Sequence, residues 1–106
     1  MPLSQVVPLL RAAQQKEKAV GAFNVGNMEM LLGVIRAAEE TREPVILQIA
    51  EKRLPHSPLH VMAPMMVRAA SEASVDIAVQ LDHGGDLDII RQAMDYGFTA
   101  VMFDGS

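Results

Sequence analysis

The sequence contains no cysteine and no tryptophan, and only four of its 106 residues are aromatic. Without cysteine the chain cannot form disulfides or thiolate–metal bonds, so any bound metal must be held by histidine or carboxylate side chains. No apolar run approaches the roughly 20 residues of a transmembrane helix, and no secretory signal is recognisable. With a net charge of −4 and no basic cluster longer than Lys52-Arg53, we expect neither a membrane nor a nucleic acid as partner, and a reducing, cytoplasmic location.

Half of the residues are apolar, and most of these are aliphatic or methionine, which favours helices packed on a buried sheet. Short apolar runs bounded by turn-forming residues predict four strands, at 19–25, 45–50, 76–81 and 99–103. Apolar residues at helical spacing predict helices before the first strand and between successive strands. This alternation predicts an α/β fold with a parallel sheet and right-handed crossovers.

Residues that start or stop helices mark the helix ends in this pattern. We expect Ser4, Asn27 and Asp86 to cap helices, and Gly97 to follow the end of the last one. Pro64 interrupts the third helical pattern, so we expect a kink there, or a short turn followed by a new helix start.

The number of strands is half of what a closed (β/α)8 barrel requires, and such a barrel typically needs about 250 residues. The fourth predicted strand ends three residues before the last residue, and nothing in the sequence covers its edge. We therefore expect the chain to be the N-terminal portion of a longer protein, or to need a partner half.

Polar residues follow each predicted strand at its carboxyl end, where βα architectures bind their ligands. Asn24 follows the first strand, and Lys52-Arg53 follows the second. Asp82-His83 follows the third and Asp104 follows the fourth. The opposite strand ends carry ordinary turn residues, so we expect a ligand site at the carboxyl rim.

The pair Asp82-His83 is the best candidate for metal or acid–base chemistry. A neutral imidazole is a common zinc ligand, and a nearby carboxylate can orient it or transfer protons. Gly84 and Gly85 would allow positive φ angles and close approach of the backbone to a ligand. The dipeptide alone leaves a structural role equally open, in which Asp82 caps the next helix and His83 is a hydrogen-bonded packing residue.

Two other sets of residues have simpler explanations. Lys52 and Arg53 could bind a phosphate or carboxylate, but a solvated pair of loop charges is the simpler interpretation. His56 and His60 could share a helical face, but we expect both to be exposed loop and helix-end residues.

The segments GAFNVGNMEML, EPVILQ, VQLDHGG and GFTAVMFDGS together resemble the N-terminal half of the class II, metal-dependent fructose-bisphosphate and tagatose-bisphosphate aldolases. The resemblance runs through essentially all 106 residues. It implies a (β/α)8 TIM barrel, of which this chain supplies the N-terminal helix and the first four parallel strands, in a homodimer or homotetramer. It also implies a cytoplasmic lyase of carbohydrate metabolism, as in glycolysis.

The resemblance assigns roles to individual residues. His83 matches a ligand of the catalytic Zn²⁺. Asp82 matches the carboxylate that protonates the aldehyde oxygen in condensation and removes the C4 hydroxyl proton in cleavage. Asn24 matches a residue near the substrate, and Asp104 a carboxylate near the metal site. The implied reaction cleaves a ketose bisphosphate to dihydroxyacetone phosphate and an aldehyde, with zinc as the Lewis acid. The remaining zinc ligands and the phosphate-binding loops belong to the family's second half.

One departure from the family pattern concerns phosphate binding. Ala50 stands where the family often has a serine or threonine that helps to bind a substrate phosphate. Either Lys52 or Arg53 replaces that hydroxyl, or the substrate is not the usual bisphosphate. Two other functions remain open: a different TIM-barrel lyase or epimerase with an Asp-His rim, and an inactive half-barrel that serves as an interaction module.

Overall fold

The structure is a computed structural model that describes residues 2–106. Its helices and strands alternate along the chain in the order α1 Val6–Gln15, β1 Gly21–Asn24, α2 Met28–Thr41, β2 Val45–Ala50, α3 Leu59–Glu72, β3 Ile77–Gly84, α4 Leu87–Asp95 and β4 Ala100–Phe103. All the strand pairs are parallel, and the strands lie side by side in sequence order, β1-β2-β3-β4. The predicted α/β fold with alternating helices and parallel strands is confirmed.

The two faces of the sheet pack against different helices. Side chains that alternate along β2 and β3, such as Leu47 and Val79, are fully buried against α2, α3 and α4 in the main hydrophobic core. On the opposite face, Ile46 and Ala78 pack against Leu9 of α1. Because these two residues lie near the beginning of their strands, α1 covers the amino-terminal part of this face. The carboxyl-terminal part is left to polar side chains.

The predicted caps of α2 and α4 are confirmed. The Asn27 side chain accepts a hydrogen bond from the Met30 amide at 2.8 Å. Asp86 Oδ1 accepts bonds from the amides of Asp88 and Ile89 at 2.8 and 3.4 Å. Gly97 follows α4 with a φ of 103°, the left-handed conformation that favours glycine after a helix end.

The predicted cap of α1 is wrong. Gln5 occupies the capping position without a side-chain bond, and the Ser4 hydroxyl donates to the carbonyl of Pro2 at 3.0 Å. The amide of Ser4 also donates to the Ile77 carbonyl, which holds this segment extended beside β3. Moreover, the third helical residue is Pro8, which has no N–H for a capping side chain to bind.

Helix α3 is continuous from Leu59 to Glu72, so the new helix start that we considered at Pro64 does not occur. Proline removes the bond to the carbonyl four residues earlier, which belongs here to the exposed His60. Water can satisfy that carbonyl in the first turn, so the helix continues.

The two outer strands are much more exposed than the two central ones. Every residue of β1 is exposed, whereas β2 is buried along nearly its whole length. Large apolar side chains face solvent on both edges: Phe23 on β1 is 46% exposed and Phe103 on β4 is 64% exposed. A groove of about 980 Å³ runs between β1 and α2. Within residues 2–106, no helix combines the length and apolar character that crossing a membrane requires.

The Asp86 cap gives a stability prediction. Asp86→Ala should lower the free energy of unfolding by about 0.5–2 kcal/mol, because two amides of α4 lose their acceptor. Urea denaturation of the intact protein measures the change. Asp95→Ala, at the other end of the same helix, is the matched control and should not destabilise. Equal losses in the two variants would contradict the capping role.

Candidate active site at the carboxyl ends of the strands

A bulge in β3 brings Asp82 and His83 to the same side of the rim. The sequence pattern ended this strand at Leu81, but it continues to Gly84, with a register shift against β4 between these two residues. Side chains of successive strand residues normally point to opposite faces. Here His83 has a φ of 51°, and its Nε2 lies 3.9 Å from Asp82 Oδ1. A left-handed conformation at a residue other than glycine costs roughly 1–3 kcal/mol and clusters at functional sites.

The glycine pair does not supply the positive φ that we expected of it, because His83 adopts that conformation instead. The glycines are needed for space within the protein. A Cβ on Gly84 would lie 2.8 Å from Leu81 Cδ2, and one on Gly85 would lie 3.1 Å from the Asp104 carbonyl oxygen. A side chain at Gly84 would require the Leu81 side chain to move, and one at Gly85 would press on the backbone at Asp104.

The structural interpretation of Asp82 as a helix cap is wrong, because Asp86 caps α4. The Asp82 side chain is only 13% exposed, whereas that of His83 is 57% exposed. Asp82 is thus a nearly buried carboxylate next to an accessible imidazole.

Asp104 fixes the proton of the neutral His83 ring. Asp104 Oδ2 lies 3.0 Å from His83 Nδ1, and Oδ1 accepts from both the amide and the hydroxyl of Ser106 at 3.0 and 2.5 Å. The Ser106 bonds, followed by the His83 bond, lower the pKa of Asp104 from 3.8 to about 2. The ionised carboxylate can only accept, so the ring proton lies on Nδ1. Nε2 is therefore free to bind a metal or a proton.

A chain of three amides ends on Asp82. Asn24, Gln48 and Gln80 are direct neighbours across β1, β2 and β3. Gln80 Nε2 donates to Gln48 Oε1 at 2.8 Å, and Gln48 Nε2 donates to Asn24 Oδ1 at 2.8 Å. Asn24 Nδ2 then donates to Asp82 Oδ2 at 3.1 Å. We call this set the amide ladder.

Sequence reasoning found Asn24 but missed the two glutamines of the amide ladder. A signal was present, because each glutamine interrupts an otherwise apolar strand two residues before its rim residue. Gln48 precedes Ala50 by two positions in VILQIA, and Gln80 precedes Asp82 by two in IAVQLD. Strand alternation puts each glutamine on the same face as that rim residue.

The two basic residues in the loop after β2, Lys52 and Arg53, have different surroundings. This loop begins with a 3-10 turn at Glu51–Arg53. Arg53 Nε donates to the Ser57 hydroxyl at 3.2 Å, and that hydroxyl donates to the Gly26 carbonyl at 2.6 Å. A Cβ on Gly26 would lie 2.8 Å from Arg53 Nε, so only glycine leaves room for this guanidinium.

Arg53 also lines a cavity of about 290 Å³ together with Asn24, Gly26 and Ala50. This cavity connects the guanidinium to the residue that contacts Asp82. Lys52 is exposed and does not line the cavity, so the structure separates two residues that the sequence left equivalent.

The other two histidines take no part in the contacts among Asp82, His83 and Asp104. His56 is exposed in the loop after the 3-10 turn, and His60 is exposed in the first turn of α3, as expected. Within residues 2–106, no three or more histidine, aspartate or glutamate side chains are grouped so that they could hold a metal ion together.

Comparisons with known proteins agree with the parallel α/β fold and identify a family. The family model "Fructose-bisphosphate aldolase class-II" matches residues 4–106. A fructose-bisphosphate aldolase of Thermus caldophilus is 41% identical over 92% of this chain and 32% of its own length. A sulfofructosephosphate aldolase of Alkalicoccus urumqiensis is 35% identical over 92% of this chain and 34% of its own length.

Among solved structures, the crystal structure of the YdjI aldolase from Escherichia coli K12 superposes with a TM-score of 0.93 at 36% identity. The match covers 98% of this chain and 40% of that one. The fold and these matches thus point to the aldolases as the class of protein. It belongs to the class II fructose-bisphosphate aldolase family. It spans about a third of the length of the curated relatives it matches, consistent with part of a barrel.

The Asp104 cluster gives a prediction for acid pH. Ser106→Ala should raise the pKa of Asp104 from about 2 towards 3.8, because Ser106 is the largest cause of the shift. Because the carboxyl pKa of Asp104 is lower in the folded protein, its ionised form stabilises the fold at pH values above the pKa of the unfolded chain. This stabilisation is lost as the pH falls from 3.8 to about 2. A carbon-13 NMR titration of the Asp104 carboxyl group measures this pKa in both proteins. A larger rise in His83→Ala than in Ser106→Ala would contradict this order of causes.

Proposed function

We propose that this chain forms the N-terminal half of a single (β/α)8 aldolase domain. The apolar side chains exposed on β1 and β4 support this, because further barrel strands paired at both edges would bury them. The proposed protein is a zinc-dependent aldehyde-lyase that joins dihydroxyacetone phosphate and an aldehyde, or cleaves the resulting sugar phosphate. Family membership also supports a homodimer or homotetramer in the cytoplasm.

The observation that carries the proposal is the pair of Asp82 and His83, held 3.9 Å apart by a strained bulge. His83 fits a metal ligand, because Asp104 keeps its proton on Nδ1 and leaves Nε2 free. One imidazole does not make a zinc site, so we propose that the other ligands come from outside this chain. When bound, zinc would supply a Lewis acid that polarises the substrate ketone.

In the proposed reaction Asp82 moves the proton at the aldehyde oxygen. It would donate a proton to that oxygen in condensation and remove the C4 hydroxyl proton in cleavage. Asn24 occupies Asp82 Oδ2 and leaves Oδ1 on the side of His83, where a substrate oxygen would lie. Asn24 has a second amide hydrogen, and we propose that this hydrogen contacts the substrate.

Substitutions at the pair test the metal and proton roles separately. His83→Ala should abolish zinc binding, measured as metal content of the intact protein, whereas His60→Ala should retain it as the matched control. Asp82→Asn should keep the zinc and lower turnover by roughly 10²–10⁴-fold, as expected for a lost acid–base group.

Other outcomes of this experiment point to other functions. Loss of zinc in Asp82→Asn would make Asp82 a ligand. An active protein without metal would favour a lyase or epimerase that uses the Asp-His rim without zinc. A protein with neither metal nor activity would favour the interaction module.

We also propose that Arg53 binds an anionic group of the substrate. Its Nε is held by Ser57, which leaves the two terminal amino groups as donors beside the cavity that Asn24 and Ala50 also line. A guanidinium binds carboxylate, sulfonate or phosphate oxygens with two parallel hydrogen bonds. Ala50 offers no hydroxyl, and one relative is named sulfofructosephosphate aldolase, so the anion need not be the usual second phosphate.

Arg53→Ala should raise the KM for an aldehyde that carries an anionic group by about 10–100-fold, as expected for lost hydrogen bonds to a charged group. The KM for a neutral aldehyde such as glyceraldehyde should stay unchanged, and steady-state kinetics with both substrates measures the difference. Lys52→Ala removes an adjacent charge outside the cavity and is the matched control. Equal effects of the two variants would show a general charge effect and contradict a specific Arg53 site.

A further inference from the structure

We propose that Gln80 and Gln48 are positioning residues that orient Asn24 and, through it, the Asp82 carboxylate. The inference rests on the proposed proton-transfer role of Asp82. Gln80 donates to Gln48 and Gln48 donates to Asn24, so each glutamine acts on Asp82 through the next amide of the ladder.

The chemistry of its last member sets the direction of the amide ladder. An ionised carboxylate only accepts hydrogen bonds, so Asn24 must turn Nδ2 towards Asp82 and Oδ1 towards Gln48. Gln48 must then present Nε2 to Asn24 and Oε1 to Gln80. Gln80 completes the ladder as a donor. Each amide is thus fixed in one of its two orientations by the residue that follows it.

The location of the amide ladder makes these orientations difficult to change. Gln48 and Asp82 are buried at 8% and 9% exposure, so water does not freely replace their partners. On β4, the registered neighbour of Gln80 is Ala100, which has no polar side-chain atom. The amide ladder therefore begins at Gln80.

The result of this arrangement is that the two oxygens of Asp82 differ. Oδ2 is occupied by Asn24 at 3.1 Å, and Oδ1 lies 3.9 Å from His83 Nε2. The amide ladder therefore assigns Oδ1 to the reacting proton by occupying the other oxygen. Without the Asn24 bond the carboxylate could turn to intermediate angles, and neither oxygen would then be held toward the reacting proton.

Two substitutions of Gln80 separate positioning from simple packing. Gln80→Met keeps the size of the side chain but removes its donor. Gln80→Glu introduces an ionised group that only accepts, so Gln48 and Asn24 would have to invert. The Asn24 oxygen would then face the Asp82 carboxylate. The exposed Gln92 on α4 provides the matched control Gln92→Met.

We expect aldol condensation to slow by about 10-fold in Gln80→Met and about 100-fold in Gln80→Glu, the loss expected for misplacing a catalytic group by about 1 Å. The KM for dihydroxyacetone phosphate and the zinc content should stay at wild-type values. Hydrogen exchange between solvent and the hydroxymethyl carbon of dihydroxyacetone phosphate should also persist, because it needs no proton at an aldehyde oxygen. General structural damage would lower both reactions.

A second readout does not depend on activity. Nitrogen-15 NMR of the side-chain amides should show slow solvent exchange for the Nε2 hydrogens of the buried Gln48 in the wild type and in Gln92→Met, and faster exchange in both Gln80 variants. Condensation and amide exchange at wild-type level in Gln80→Glu would overturn the positioning role. A wild-type protein that catalyses neither reaction would instead overturn the proposed function.

Discussion

The nearly buried carboxylate of Asp82 is the constraint on which the rest of the rim depends. A charge in such a place is costly unless it is paired, and the nearest polar partner, Asn24, comes from a strand two positions away in the sheet. That contact is possible because the parallel register aligns Asn24, Gln48 and Gln80 across three strands. Helix α1 covers the other end of the same face with apolar contacts. The sheet face is therefore apolar where α1 closes it and polar where chemistry is expected.

How far the sequence predicts this structure depends on whether a feature is local. The order of strands and helices and the caps Asn27 and Asp86 follow from residues close together in the chain, and they were predicted correctly. The cap at Ser4 was wrong because a distant strand pairs with that segment. The bulge at His83 was missed because it arises from the register between β3 and β4, which no local pattern encodes. Polar residues at the ends of separate strands predict a ligand site at the carboxyl rim. Which of these residues are hydrogen-bonded to one another depends on the strand register.

The exposure of the two edge strands fits the proposal that strands from outside this chain complete the site. Central strands β2 and β3 have neighbours on both sides, and their core side chains are fully buried. Strands β1 and β4 each lack one neighbour, and both expose a phenylalanine. In the proposed barrel, the missing strands would pair at these edges and bring their own rim residues opposite Asp82 and His83. The same added strands would then bury the exposed edges and complete the proposed metal site.

Two separate hydrogen bonds leave one free atom on His83 and one on Asp82, close to each other. Asp104 binds one nitrogen of His83 and leaves Nε2 free, while Asn24 binds one oxygen of Asp82 and leaves Oδ1 free. The two free atoms lie 3.9 Å apart. The two hydrogen bonds come from the ends of different strands, Asp104 after β4 and Asn24 on β1, so neither depends on the other for its geometry. A metal ligand needs a free nitrogen and a proton carrier needs a free oxygen, so this arrangement supports the two distinct roles that we propose for His83 and Asp82. The strained φ of His83 is the local cost of placing these two atoms side by side.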